Sequence, residues 1–253
     1  MIGERIEAFI REYVKRYRRV KGTSTDWETP LVAYASAHDP LFHRLREVVD
    51  HRHLLPSDLL RNAKTVIAYF IPFRREVALS NAGGRRPSRE WALAYVETNQ
   101  LTNDLNASLA RMLESMGFRC AVTPPTHNFD ERRLVSNWSH KHVAYIAGLG
   151  TFGLHHMIIT EKGCCGRLGS VVTDAVVEPT ERPGEEFCLH KRGEECLACV
   201  ERCTFGALTV NGLNRHRCYD VCMRNSRLYP DLGLADVCGK CVCVVPCSFK
   251  API

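Results

Sequence analysis

Ten of the chain's thirteen cysteines lie between Cys188 and Cys247, and that crowding limits what the chain can fold into. The run "CLHKRGEECLACVERC" from residue 188 carries four thiols in sixteen residues, a C-x2-C pair followed by a C-x3-C step. A thiolate is a soft anionic ligand, and three or four at short spacing suit an iron-sulfur cluster or zinc; serine hydroxyls stay protonated and bind such ions poorly. A disulfide framework is the other use of many cysteines. Against it, the count is odd, and the N-terminus "MIGERIEAFIREYVKRYRRV" interleaves charged with apolar residues instead of presenting a secretion signal. There is no apolar run of about eighteen residues either, so the expectation is a cytoplasmic protein that does not span a membrane.

The spacing says more than the count. A bacterial two-cluster ferredoxin uses C-x2-C-x2-C-x3-C-P, three cysteines serving one cluster and the fourth crossing to the other. Cys196, Cys199 and Cys203 keep the x2 and x3 steps, Cys188 is separated from Cys196 by the seven residues "LHKRGEE", and Thr204 replaces the proline. Downstream, "RCYDVC" supplies Cys218 and Cys222, and "CGKCVCVVPC" supplies Cys238, Cys241, Cys243 and Cys247. The crossing logic assigns Cys188, Cys196, Cys199 and Cys247 to one [4Fe-4S] cluster and Cys203, Cys218, Cys238 and Cys241 to a second. Cys222 and Cys243 are left as spares, either of which could exchange with its neighbour. A four-cysteine zinc ribbon built on the two C-x2-C pairs is the alternative, but it leaves Cys188, Cys203, Cys218 and Cys247 unused at ligand-like positions. Two clusters side by side make a short electron wire, which points to a redox function.

The rest of the chain reads as an α+β protein. With 253 residues, 45% of them hydrophobic, it can bury a full core and carry a smaller appended module. The segment "EPTERPGEEF" reads as a linker, dividing an α/β sandwich-like domain over 1–182 from a ferredoxin-like double-cluster domain over 183–253. Ile6, Phe9, Ile10, Tyr13 and Tyr17 recur at helical spacing, and Leu101, Leu105, Leu109, Met112, Leu113 and Met116 form a second helical face stopped by Gly117. Strands are expected at "TVIAYFIPF", "FRCAVTP", "HMIIT" and "GSVVTDAVV". The net charge of +6 is not gathered into one basic run and says little about a partner.

Upstream of the linker stand "AYIAGLGTFGLHHMIIT" and "RLGSVVTDA", and together with the double-cluster cysteines they resemble the epoxyqueuosine reductase family and its shorter double-cluster relatives. The resemblance covers about residues 60 to 250. It implies an N-terminal domain, related to corrinoid-handling folds, that holds cobalamin against the ferredoxin-like module, an arrangement shared with reductive dehalogenases. It also implies electrons taken from a reduced ferredoxin- or flavodoxin-like donor and passed through two clusters to a corrinoid, or to a corrinoid protein, or to a substrate. Gly148, Gly150 and Gly153 would let backbone approach a large flat cofactor, though glycines so spaced also suit a plain turn. Where the family carries a proton-delivering acid shortly before the A-G-L-G, this chain has "LVSNWSHKH". His140, His142 and Tyr145 are the candidate replacements as catalytic proton donors, the histidines first because imidazole titrates near neutrality. Full-length members continue into a helical-repeat extension that helps bind tRNA, whereas this sequence ends six residues after Cys247, so a tRNA-binding role ranks behind the redox readings.

Other features take plainer readings. Cys164 and Cys165 adjoin each other and serve as small apolar residues unless a cofactor comes close. His51 and His53 in "DHRHLL" read as a solvated loop, and Arg85 and Arg86 as a mobile basic one. Three functions follow: a reductase with its own substrate or corrinoid, which needs a pocket between the N-terminal domain and the clusters; a carrier or activase serving a separate corrinoid protein, which needs only an exposed cluster edge; and an RNA-binding module, which needs a continuous basic surface.

Overall fold

The computed structural model describes residues 1–253. In chain order the elements begin α1 (Ile2–Lys21), β1 (Leu31–Ser36), α2 (Leu41–Val48), α3 (Pro56–Leu59), β2 (Thr65–Pro72), α4 (Arg75–Ser80), α5 (Arg89–Glu114), β3 (Cys120–Val122), β4 (Phe129–Asp130) and β5 (Val135–Ser136). They continue with α6 (His140–Ile146), β6 (Gly150–Phe152), β7 (Ile158–Thr160), β8 (Gly166–Thr173), α7 (Ala198–Glu201), β9 (Leu208–Thr209), β10 (Gly212–Leu213) and α8 (Arg215–Asn225). The architecture is α+β. A four-stranded sheet in the order β1-β2-β8-β3, antiparallel throughout, lies between two layers of helices.

β2 is the centre of that sandwich, and its sequence shows why. Every residue of "TVIAYFIP" is buried. Side chains alternate across a strand: Val66, Ala68 and Phe70 join Phe42 and Leu45 of α2 and Val143 and Ile146 of α6 on one side. Ile67, Tyr69 and Ile71 join Ile6, Ile10 and Val14 of α1 and Leu101, Leu105 and Leu109 of α5 on the other. A strand covered on both faces has no solvent side to mark with polar residues, hence the unbroken apolar run. Each buried valine, leucine, isoleucine or phenylalanine among them contributes about 1.5–3 kcal/mol relative to exposure.

The long helix α5 starts well before the face visible in the sequence. Ser88 accepts a hydrogen bond at its Oγ from the Trp91 backbone N–H at 3.1 Å, and from this cap the buried stripe runs through Trp91, Tyr95 and Thr98 before reaching Leu101. The stripe's upper half is aromatic and polar, so apolar periodicity alone misses it. At the other end Met116 falls beyond the helix, which stops at Glu114. β8 runs from Gly166 to Thr173, so it takes in the first five residues of the expected "GSVVTDAVV", begins three residues earlier and stops before Asp174. Asp174 turns the chain by accepting the Arg119 backbone N–H at 2.7 Å, and Val176 beyond it is 74% exposed. β1 was not expected at all, because Ala33 and Ala35 are too small to register as a strand signal, although both are buried.

After β8 the chain has no regular structure from Val176 to Pro183. It is tied to the sheet edge where Thr180 Oγ1 accepts from the Tyr34 N–H at 3.1 Å and the Thr180 N–H donates to the Tyr34 carbonyl at 2.9 Å. The cysteine-rich segment that follows packs into the same core as α1 and α5, contributing Phe187, Cys188, Ala235, Val237, Val242, Cys243 and Ala251. Its private apolar cluster is only Cys199, Leu208 and Val245. No helix is long and apolar enough to cross a membrane.

Candidate functional site

The loop Cys238–Cys241 is held by groups from the N-terminal half. Asn81, fully buried after α4, donates from Nδ2 to the Cys238 carbonyl at 2.9 Å and accepts at Oδ1 from the Ser88 N–H at 3.0 Å. Lys240 is 2% exposed and donates from Nζ to the carbonyls of Asn81 and Gly83 at 2.9 and 2.7 Å. Gly239 lies flat on the indole of Trp91, where a Cβ would come within 2.4 Å of ring atoms. From the opposite side Asn225 at the end of α8 donates to the Val237 carbonyl at 2.8 Å. A lysine buried among carbonyls has no other neutralising partner nearby than the flanking thiols, Cys238 and Cys243.

This scaffold brings thiols together in two places. Cys188, Cys196, Cys199 and Cys247 line a cavity of about 20 Å³, with Leu154 and Pro246 among its walls. Cys203, Cys218, Cys222, Cys238 and Cys241 line a larger one of about 280 Å³. Within the first group burial and then the neighbouring Cys247, Cys188 and Cys196 push the Cys199 thiol up to about 12. In the second, burial and then Cys218, Cys238 and Cys203 push Cys241 up strongly. Thiols that oppose one another's ionisation form a donor set that a cation would neutralise, and their chemistry fits iron-sulfur ligation. Cys203 Sγ also accepts the Leu208 N–H at 3.2 Å, the kind of contact that stabilises a thiolate ligand.

The two spare cysteines separate. Cys222 stands one helical turn from Cys218 on α8 and faces the larger cavity with it. Cys243 is fully buried elsewhere, meeting Asn81 Nδ2 at 3.4 Å and the Cys165 thiol. Cys164 and Cys165 are indeed buried, as small apolar residues would be, but Cys164 is not remote from the chemistry. Its thiol, the Cys247 thiol and a ring nitrogen of His155 lie within 4.8 Å of one another. Cys247 is held well below the ordinary thiol range, first by the hydrogen bond from Cys164 and then by His155, whose Nε2 is 3.4 Å away. His155 went unnoticed in the sequence because nothing in "GLHHM" distinguishes it from its neighbour His156.

The candidate proton donors do not form one group. His140 lines a cleft of its own, with both ring nitrogens engaged: Nε2 with the Pro124 carbonyl and Nδ1 with Ser170 Oγ, each at 2.9 Å. The carbonyl can only accept, so Nε2 carries the hydrogen; Nδ1 accepts from Ser170, whose Oγ in turn accepts from Trp138 Nε1 at 3.0 Å. Burial holds this imidazole below its usual range. His142 and Tyr145 turn to the other side of α6, where both rings pack on Phe152 at 4.9 and 5.8 Å. His142 Nδ1 is 2.7 Å from Ser139 Oγ, and burial lowers its pKa to about 4.

The cleft beside His140 has a volume of about 240 Å³. It joins the larger thiol cavity through Met157, Cys164, Gly166 and Arg167, which line both. On the outer side it continues along His127–Phe129 and Ser136 into an open hollow of about 550 Å³ beside Asp50. Each part is near or within the about 300–1,000 Å³ of ordinary small-molecule sites. A substrate of common size therefore fits one part, whereas a corrinoid would have to occupy the whole cleft. Gly148, Gly150 and Gly153 line none of it. The space beside them is filled by the main chain of Glu181, the main chain of Ile159 and the ring of His155 respectively, so here the glycines allow close packing between protein segments.

The plain readings of the remaining loops need one correction. His53 is fully buried, donating from Nδ1 to its neighbour's carbonyl at Leu54 (2.8 Å) and accepting the Ser139 N–H at Nε2 (3.1 Å), so only His51 is solvated. Arg85 rests over the Phe205 ring at 5.2 Å and donates to the Thr204 carbonyl.

No protein-family profile and no curated protein matches the chain. Solved structures do. An epoxyqueuosine reductase crystallised with a tRNA-Tyr stem loop superposes with a TM-score of 0.56 at 19% identity, over 96% of this chain and 66% of that one. The epoxyqueuosine reductase of Bacillus subtilis gives 0.56 at 18%, with the same coverage. The catabolic reductive dehalogenase NpRdhA gives 0.59 at 15%, over 91% of this chain and 31% of that one. The chain thus spans just under two thirds of the epoxyqueuosine reductases it matches and shares their fold, which is also that of reductive dehalogenases.

Proposed function

We propose that the protein is an iron-sulfur oxidoreductase in which two [4Fe-4S] clusters feed electrons to an acceptor bound in the cleft between the sheet and the cysteine-rich segment. The observation that carries the reading is the convergence of thiols: four on one cavity and six, counting Cys164, on the next, the second sharing a wall with the cleft. Bound clusters would supply one-electron steps. Cys188, Cys196, Cys199 and Cys247 would hold one, and Cys203, Cys238 and Cys241 with Cys218 or its helical neighbour Cys222 the other, in a two-cluster ferredoxin-like arrangement. The chain's own part is to fix the thiols through Asn81, Lys240 and Gly239, to exclude water with Phe73, Trp91 and Val242 around the second cavity, and to present the cleft.

The acceptor is a substrate or a corrinoid, and the electron donor is a reduced ferredoxin- or flavodoxin-like protein. Of the three candidate proton donors only His140 lines the cleft, and it would have to give up its Nε2–H bond to the Pro124 carbonyl to serve; His142 and Tyr145 lie across α6 against Phe152. The cleft favours a reductase over a carrier that serves a separate corrinoid protein, since a carrier needs an exposed cluster edge and no cavity. A tRNA-directed activity ranks behind both, because the net charge of +6 is not gathered into one basic run.

The test is anaerobic reconstitution with iron and sulfide, followed by titration of the reduced protein with cob(II)alamin while the cobalt spectrum is watched. About eight irons per chain and dithionite-reducible EPR signals are expected for two clusters. A single tightly bound zinc and no iron uptake would end the reading. Saturable formation of cob(I)alamin assigns the acceptor as a corrinoid; full clusters with no cobalt response remove the corrinoid and leave a bound substrate or a protein partner as the acceptor.

A further inference from the structure

Two cations in the cleft, Arg167 and Lys141, form no salt bridge within the protein. Arg167 projects from β8, the strand position paired with Ile71, and its guanidinium carbon sits 4.5 Å from the centre of the Tyr95 ring. Of its donors, Nη2 bonds to Asn99 Oδ1 at 2.8 Å, which leaves most of the fork unused. Lys141, one residue after His140 on α6, donates from Nζ to the His156 carbonyl at 3.2 Å. Both side chains line the 240 Å³ part of the cleft, and no aspartate or glutamate does. The carboxylate on the adjoining wall, Asp236, is already engaged by the Tyr95 hydroxyl at 2.7 Å and by His127 Nε2 at 3.3 Å. Burial destabilises both cations, and an arginine cannot escape by releasing its proton. Asp236 acts on Arg167 and Cys218 on Lys141 without a salt bridge, but burial outweighs both, so a negative group entering the cleft would stabilise the pair.

The neighbouring cavity has the opposite character. Its walls are mostly apolar, with Phe73, Trp91, Tyr95, Phe205 and Leu208 standing beside the thiols. Resting on the oxidoreductase reading above, we propose that the substrate is an organic anion: its carboxylate or phosphoryl group is held by Arg167 and Lys141, and its apolar body passes Met157 toward the Cys203–Cys241 cavity. A planar guanidinium is suited to grip such a head group through two parallel N–H bonds, and Lys141 adds a point charge from the helix side. Charge at one end and apolar contact at the other would fix which end of the substrate faces the thiols.

Full-length protein, reconstituted anaerobically and assayed for iron, is titrated calorimetrically with benzoate, phenyl phosphate and the neutral isostere benzamide. One of the two anions should bind at one site at least tenfold more tightly than benzamide, and which one it is separates a carboxylate head group from a phosphoryl one. Arg167→Gln should remove that preference by tenfold or more while leaving benzamide affinity unchanged, and Lys141→Met should reduce it less. Equal affinity for benzoate, phenyl phosphate and benzamide, no binding of either anion, or an Arg167→Gln variant that still prefers the anion would overturn the proposal. If Arg167 served only to offset cluster charge, its substitution would shift the EPR-monitored reduction midpoint without touching anion affinity, which also overturns it. Because the head-group cavity is built on β8 and α6, the same titration is read in protein that took up no iron. Failure of cluster formation therefore counts against the oxidoreductase reading alone.

Discussion

Cys247 sits among groups that favour its thiolate, Cys164 and His155, whereas Cys243 four residues earlier is sealed against Cys165 and Asn81. If the first group of thiols holds a cluster, Cys247→Ala should lower the iron taken up on reconstitution by about half, and Cys243→Ala should leave it unchanged; equal losses in the two would refute the grouping. A second residue-scale expectation concerns the core. Tyr69 is fully buried and donates its hydroxyl to Asn106 Oδ1 at 2.6 Å, while Asn106 Nδ2 has no partner. Tyr69→Phe strands the whole amide, so urea unfolding should show a loss of about 1–3 kcal/mol. The cysteine spacing was legible at this scale because ligand sets repeat at short intervals. Arg167, Lys141 and His155 were not, since a lone cation or imidazole carries no pattern until the fold removes its alternatives.

Gly239 illustrates how elements place the thiols. Its φ of 72° and its contact with Trp91 at the head of α5 leave no room for a side chain between Cys238 and Lys240. Gly239→Ala should push the loop off the indole, costing about 1–3 kcal/mol of stability and, if the two thiol groups hold clusters as proposed, reducing the EPR signal of the second more than that of the first. An alanine variant with both signals intact would mean the loop can move without disturbing its cysteines. Element by element, strongly patterned pieces could be read in advance: β2 from its unbroken apolar run, α1 from Ile6, Ile10 and Tyr17. What escaped was governed by contacts distant in sequence. β1 is a strand because Leu31–Ser36 pairs with Thr65–Phe70, and α5 gains its first turns from the Ser88 cap and from Trp27, whose indole N–H bonds to Thr98 at 2.7 Å.

Across the whole molecule, the cysteine-rich segment and the sheet share one core, so the linker visible in composition does not mark where packing stops. Residues 183–253 expressed alone should show no cooperative thermal transition before iron is added, because Cys199, Leu208 and Val245 are too small a core. A sharp transition in the iron-free fragment would contradict this. Stability should also depend on pH. His53, His140 and His142 are all held below the ordinary imidazole range by burial, His142 to about 4. The unfolded chain takes up these protons near pH 6.5 and the folded one does not, so the stability from neutral burial is complete above about 6.5 and declines as pH falls toward 4. Urea midpoints should drop over that window, and His142→Gln should flatten the slope by up to about one proton. The order of the thiols along the chain bears on truncation: Cys188, Cys196 and Cys199 precede the second group and Cys247 follows it. If the two groups hold clusters as proposed, a released chain ending between Cys241 and Cys247 would keep every donor of the second site and lack the last donor of the first.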